Sequence, residues 1–279
     1  MTLVFRFTLF LSFFLAPILA TAQLLPDKLT GYLQKLPAQT QVNVAFESLT
    51  DSTRFFHLSD ELVPSASVIK IPILIETMEQ VKARKFDLDK VHVLLASEKT
   101  GGSGVLQTYP DDSKITNLEV LTLMMTRSDN TATNILIREL GMDHINRRMQ
   151  TLGLTKSRLN RVMMDTLAAK QGRENRVTAR EMNLLLKKIY RNEVATPALC
   201  AQMIDILKRN ADQTTFRLFL PPSAVIAHKT GELTYVRGDA GIFYVTKPFL
   251  LSVFVQGTTT PEAEKIIGEI AAICYNQYQ

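Results

Sequence analysis

Ser67 and Lys70 stand three residues apart in the stretch Pro64-Ser65-Ala66-Ser67-Val68-Ile69-Lys70. Residues i and i+3 share one face of a helix, with Cβ atoms about 5–6 Å apart. A helix opening near Ser67 therefore brings a hydroxyl and an amine together. An amine that is neutral, or shares its proton, can take the serine proton and turn a weak nucleophile into an attacking one. The free backbone N–H groups of a helix start can also steady an oxyanion. Composition alone predicts about one such S-x-x-K spacing in a chain of this length, so the pair needs support from elsewhere.

Two further triplets supply it. Ser128-Asp129-Asn130 falls in the break between two expected helices, where side chains can turn into a cleft. Lys229-Thr230-Gly231 falls on an expected late strand, and Gly231 lets a substrate approach the sheet edge closely. The three motifs in this order by accident are an event of about one in a thousand or rarer. Together they describe a serine acyl-transfer site with a second hydroxyl and a second cation.

The elements that must position these groups can be read from periodicity. Leu29, Tyr32, Leu33 and Leu36 repeat at helical spacing. Val42, Val44 and Phe46 alternate as in a strand, and a second strand is expected from Thr53 to Leu58 after the turn Asp51-Ser52. The Ser67 helix continues to about Val81, with Pro72 favouring a kink in its first turns. From Asp87 to about Asn210 the pattern is mostly helical. Thr116 with Glu119 and Thr178 with Glu181 read as capping boxes, Gly141 as a helix stop, Asp143 as a cap, and Thr196-Pro197 as a further start. Strand runs return at Val225–Lys229, Ala240–Val245 and Phe249–Gln256, and a last helix follows Thr260-Pro261-Glu262. This order predicts an α/β protein of the α+β type. Its antiparallel five-stranded sheet comes from both chain ends and is flanked by helices, with an all-helical lobe inserted between. The expected sheet lobe is 23–62 and 215–279, and the helical lobe 63–214.

The first 22 residues differ from the rest. They carry one charge, Arg6, five of the fourteen Phe, and an apolar run from Phe7 to Leu19, ending in the small-x-small pattern Ala20-Thr21-Ala22. This reads as a secretory signal peptide over 1–22, which places the mature chain, 23–279, in the periplasm or outside the cell. The alternative, an uncleaved anchor, is opposed by the short run and by Pro17. No cysteine follows the run, which opposes a lipid anchor.

Over the full sequence, 21% charged and 46% hydrophobic residues are ordinary for a globular chain with a real core. The formal charge of +5 is scattered and suits an anionic small substrate rather than nucleic acid. His57, His92, His144 and His228 show no metal-ligand spacing, so neither a metal nor a cofactor is expected. Cys200 and Cys274 read as buried thiols. Thr100-Gly101-Gly102-Ser103-Gly104 reads either as a rim of the cleft or as a plain surface turn. A monomer is expected.

The S-x-x-K, S-D-N and K-T-G trio is the signature of class A β-lactamases and penicillin-binding proteins. Ser67-Val68-Ile69-Lys70, Met124 through Asn134, and His228-Lys229-Thr230-Gly231-Glu232 make the chain resemble class A β-lactamases over nearly its whole mature length. That resemblance implies a two-lobed β-lactamase/transpeptidase-like fold and acylation of Ser67 by a β-lactam. Lys70 would accept or relay the proton, and Ser128 would pass one to the departing lactam nitrogen. Asn130 would bind the substrate's side-chain amide. Lys229 and Thr230 would hold its carboxylate, with Arg237 a second cation. The backbone N–H groups of Ser67 and Glu232 would form the oxyanion hole. Asp129 has a structural role, accepting backbone donors in its turn.

One departure stands out. The family carries a deacylating glutamate two residues after an arginine and an asparagine four residues later. Here Arg161 is followed by Met163 and Leu167 at those places, and Asn175 stands where the arginine's acidic partner is expected. Asp165 would enter the site only under a shifted loop register. The alternatives to β-lactam hydrolysis are a D-alanyl-D-alanine carboxypeptidase acting on peptidoglycan peptides and a non-catalytic sensor of the same fold.

Overall fold

Alternating apolar residues at both ends of the chain meet in one sheet. The structure is a computed structural model that describes residues 24–279, so the expected signal peptide lies outside the described residues. In chain order the elements are α1 (Leu25–Leu33), β1 (Gln41–Ser48), β2 (Arg54–His57) and β3 (Val63–Pro64). A 3-10 turn, Ala66–Ile69, then runs into α2 (Lys70–Lys82), followed by β4 (Val91–Val93), β5 (Lys114–Thr116), α3 (Asn117–Thr126) and α4 (Asn130–Leu140). Next come α5 (Met142–Thr151), α6 (Thr166–Lys170), β6 (Arg176–Val177), α7 (Ala179–Tyr190) and α8 (Pro197–Lys208). The chain ends in β7 (Val225–Leu233), β8 (Val236–Tyr244), β9 (Phe249–Gln256) and α9 (Thr260–Tyr278).

The main sheet has five strands in the order β2-β1-β9-β8-β7, each pair antiparallel. The last strand of the chain, β9, pairs with the first, as in Val44 opposite Val253. β7, which carries Lys229, is left at the edge. One core lies against α1 and α9, where Leu29, Val44, Phe46, Phe243, Phe249, Ile266, Ile270 and Cys274 are buried together. The rings of Phe243 and Phe249 stack with centroids 4.4 Å apart. The second core joins Ala45, Ala240, Ile242 and Leu250 to the inserted helices. Its axis is α2, whose residues Lys70 through Met78 are all buried, the apolar ones joined by Lys70, Glu76 and Thr77. Cys200 and Cys274 are free, buried thiols.

Several local expectations change in detail. The backbone winds as a 3-10 turn up to Ile69 and becomes α at Lys70. Pro72 then falls in the first turn of α2, where an amide lacks an intrahelical partner, so no bond is lost. Thr116 and Glu119 do form the reciprocal capping box, with both contacts at 3.2 Å. Glu181 does not close one with Thr178. Its carboxylate instead accepts the backbone N–H groups of Thr155, Lys156 and Ser157 at 2.7, 3.0 and 2.7 Å, pinning the entry to the following loop. Asp143 lies in the first turn of α5, and its place as cap is taken by Gly141, at φ 84°. The hairpin of β7 and β8 is longer than the residue pattern suggested and turns over Thr234 and Tyr235 alone. Two short ribbons, β3 with β6 and β4 with β5, interrupt the helical region.

Phe249 is fully buried among Phe46, Phe243 and Tyr278. Phe249→Ala is expected to lower stability by about 3–5 kcal/mol, read as a lower urea midpoint with an unchanged slope.

Candidate active site

The turn before α2 aims Ser67. Ala66 adopts φ 45°, a left-handed conformation that a residue with a Cβ takes only under the constraint of its surroundings. The constraint is visible on both sides. Ser65 N–H donates to the Asn175 carbonyl at 2.8 Å. Edge strand β7 presses against the turn so closely that a Cβ at Gly231 would lie 3.0 Å from Ala66 Cβ, Ser65 O and Ser67 N. Gly231 is therefore required for the strand to reach the serine.

Lys70 gathers the site. Its Nζ lies 2.8 Å from Ser67 Oγ, 2.7 Å from the Ser128 carbonyl, 3.1 Å from Ser128 Oγ and 3.2 Å from Asn130 Oδ1. The side chain is fully buried, and no carboxylate forms an ion pair with it among the described residues. Burial first, and the nearby charge of Lys229 second, push its pKa well below the ordinary amine range, against a smaller opposing pull from Asp129. A neutral amine has two N–H donors and one lone pair. The carbonyl and the amide oxygen can only accept, so the lone pair is left for a hydroxyl proton, and Ser67 is in place to give it.

Ser128 bridges to the second amine. It sits at φ 53° between α3 and α4, and its Oγ lies 3.1 Å from both Lys70 Nζ and Lys229 Nζ. Lys229, fully buried on β7, also donates to the Thr230 carbonyl at 2.7 Å. Burial lowers its pKa to about 8, while Asp239 and Asp212 work against that shift. Asp129 fixes the turn. Its carboxylate caps α4 through Ala132 N–H at 2.9 Å and accepts Val105 and Leu106 N–H at 2.6 and 2.8 Å. The fit is so tight that a Cβ at Gly104 would lie 2.3 Å from Asp129 Oδ2.

A cavity of about 610 Å³ opens onto Ser67 and is lined by Asn130, Glu232 and, across from them, Met163 and Met164. Gly102 and Ser103 line it too, so the 100–104 stretch is a rim of the cleft. It is tied there by Asn130 N–H to Ser103 O at 3.0 Å and Asn130 Nδ2 to Gly101 O at 3.1 Å.

Arg237 is not a free cation. It is 4% exposed and does not border this cavity. Its Nη2 contacts Asp212 at 2.6 Å, its Nε Glu264 at 3.1 Å and its Nη1 the Gly231 carbonyl at 3.3 Å. Burial pushes the Asp212 carboxyl up, but the guanidinium outweighs it and holds the pKa at about 2. Two distant carboxylates therefore take up the charge that had been expected to face the substrate.

The loop carrying Met163 is closed at its neck. The acid opposite Arg161 is Glu174, one residue before the position expected. Arg161 Nε and Nη2 donate to its two carboxylate oxygens at 2.9 and 3.1 Å. Asn175 instead ties the backbone, accepting Asn160 and Arg161 N–H at 2.7 and 2.9 Å and donating to Arg161 O at 3.0 Å. Asn134 of α4, to which sequence reading gave no role, brackets Met163. Its Oδ1 accepts Met163 N–H at 2.8 Å, and its Nδ2 donates to Met163 O at 3.1 Å. The thioether is held at 8% exposure in the cavity wall. Asp165 caps α6, accepting Ala168 N–H at 2.9 Å, and does not border the cavity. Leu167 is 65% exposed on α6. The lining carboxylates are Glu174, paired with Arg161, and Glu232, whose Oε2 lies 3.9 Å from Arg237.

Comparison with known proteins agrees with this geometry. The family model described as "Beta-lactamase enzyme family" matches residues 26–278. A β-lactamase of Citrobacter koseri is 27% identical over 232 residues, covering 81% of this chain and 79% of its own. The structure of PBP-A superposes with a TM-score of 0.83 at 27% identity, over 91% of this chain and 95% of that one. A β-lactamase from Sphaerobacter thermophilus superposes with a TM-score of 0.83 at 25% identity, over 90% and 97%. With the same fold, a family match over almost every described residue, and a serine flanked by two buried lysines, the chain belongs to the β-lactamase enzyme family.

Proposed function

We propose that this protein is a serine hydrolase acylated at Ser67 by β-lactams, forming the acyl-enzyme readily and releasing it slowly. The observation that carries the reading is the pairing of a neutral-leaning Lys70 amine, 2.8 Å from Ser67 Oγ, with a methionine facing the same cavity. Lys70 takes the Ser67 proton as the oxygen attacks the lactam carbonyl. The N–H groups of Ser67 and Glu232 receive the oxyanion, each such donor being worth roughly 3–4 kcal/mol. Ser128, in contact with both amines, passes a proton to the lactam nitrogen as the C–N bond breaks. Lys229 and Thr230 hold the substrate carboxylate, and Asn130 the side-chain amide.

Deacylation needs a base for water. A thioether cannot move a proton, and general base catalysis is typically worth about 10²–10⁴-fold. The turnover of this enzyme is therefore limited by release. A second reading keeps Ser67 but gives it a D-alanyl-D-alanine peptide. The cavity of about 610 Å³ favours it, since it has room for a peptide stem beside the same carboxylate and amide contacts. The apolar run before Ala22 supports export of either enzyme to the periplasm or beyond.

Intact mass spectrometry after incubation with benzylpenicillin, run alongside product formation, tests the reading. A one-to-one adduct that outlasts the free drug is expected in the wild type and none in Ser67→Ala. A folded wild-type protein that gains no adduct would overturn it. Release of D-alanine from a D-alanyl-D-alanine peptide, without lactam turnover, would select the second reading. Met163→Glu is expected to speed deacylation by about 10²-fold or more, and an unchanged rate would mean that another group already activates the water.

The pH dependence follows from Lys229. Its pKa of about 8 leaves it charged below that pH and neutral above, so the grip on a carboxylate is lost as pH rises through about 8. Acylation by benzylpenicillin should fall along that limb, while its methyl ester, which offers no carboxylate, should not follow it.

A further inference from the structure

We infer that Met164 is an oxidation site, where a peroxide converts the thioether to a sulfoxide that competes with substrate for an N–H of Asn130. The oxidation is independent of the proposed acylation of Ser67, while its effect on reactivity rests on that reading. Met164 is 49% exposed, whereas Met163 beside it is 8% exposed. Met78, Met124, Met125, Met149, Met182 and Met203 are buried, and Met142 is partly buried. A reagent in solution therefore meets one exposed sulfur among the described methionines. That sulfur is held in the cleft. The Met164 backbone takes φ 64°, a left-handed conformation unusual for a residue with a side chain, and its carbonyl accepts Thr166 N–H at 2.8 Å. Asn134 fixes the preceding residue by both backbone groups. Gly102, at φ 84°, receives the thioether on the opposite rim. A Cβ there would lie 3.0 Å from Met164 Sδ and 2.8 Å from Asn130 Nδ2. Loop, rim and α4 thus meet at one point.

The chemistry needs a peroxide and nothing else. The sulfur lone pair attacks one peroxide oxygen, and the O–O bond breaks. Sulfur gains that oxygen and is oxidised by two electrons, while the other oxygen is reduced and leaves with both protons as water. A weak acceptor becomes a strong polar one where a donor is waiting. A carboxamide nitrogen has two N–H groups. Asn130 Nδ2 gives one to Gly101 O at 3.1 Å, and the other has no acceptor among the described residues. In the proposed reaction that second N–H receives the side-chain amide carbonyl of the substrate. A sulfoxide oxygen beside Gly102 takes the same donor.

The test treats wild type and Met164→Leu, which carries no sulfur at that place, with dilute hydrogen peroxide that is then removed. Peptide mapping with fragmentation is expected to find one added oxygen on Met164 before any other described methionine. Equal or earlier oxidation elsewhere overturns the site. Acylation rates are then measured with benzylpenicillin and with 6-aminopenicillanic acid, a β-lactam that has no side-chain amide. Each rate is compared with that of the same protein before treatment. Oxidation of the wild type should slow benzylpenicillin about two- to tenfold, the effect of losing one hydrogen bond, and leave 6-aminopenicillanic acid unchanged. An unchanged benzylpenicillin rate overturns the competition for Asn130. Equal slowing of both compounds, or the same slowing in Met164→Leu, overturns it as well. If benzylpenicillin leaves no adduct on the untreated wild type, the proposed function fails by itself, and the mapping still decides whether Met164 is the oxidation site.

Discussion

The burial of two lysines without an ion-paired carboxylate on either among the described residues is the constraint from which the rest of this structure follows. Taking an ammonium group out of water is expensive, and proteins usually pair the charge or give it up. Here Lys70 is surrounded by uncharged oxygens, which satisfy an amine well and compensate a full charge poorly. The second amine, one hydroxyl away, reinforces the effect. The fold holds this arrangement by keeping the whole first half of α2 inside the protein, where it serves as the axis of the larger core. The stability of the core and the basicity of the amine are two results of the same burial.

The loop facing Ser67 shows how a backbone frame can be built independently of the side chain it presents. Its neck retains an arginine–carboxylate pair, its backbone is bound by Asn175, and Asn134 grips both polar atoms of the Met163 backbone. These contacts place the side chain at position 163 without depending on what that side chain is. A methionine fits because it is unbranched and apolar and fills an irregular wall. The frame specifies the place, and the residue type specifies the chemistry. This separation explains how a chain can share the family's fold and acylating groups while carrying no general base at this position.

Much of this was legible before any coordinates. The serine and its lysine are neighbours through helical spacing, a local rule that survives the switch from 3-10 to α winding. The five-stranded sheet and the long helices were legible because their periodicity extends over eight or more residues in most elements. What escaped depends on long-range pairing. Arg237 reads as a free cation until Asp212 and Glu264 are brought to it from 25 and 27 residues away. The partner of Arg161 differs from the expected one by a single position, a distinction that only the path of the loop decides. Glu181 has the spacing of a capping residue but turns to three amides of another segment. The ribbons of two or three residues are too short to leave a pattern.

The close passage of β7 over the turn at Ser65–Ser67 also bears on how the enzyme comes into being. The nucleophile belongs to the first third of the chain, and the strand that shapes its surroundings to the last. That strand is held to the N-terminal pair only through β8 and β9. A growing polypeptide that already contains Ser67, Lys70 and Ser128 thus has no active centre, and acquires one when nearly all of it has been synthesised. Closure across such sequence distances is slow compared with helix formation. Reactivity toward an acylating drug is therefore a property of the finished molecule, absent from its fragments.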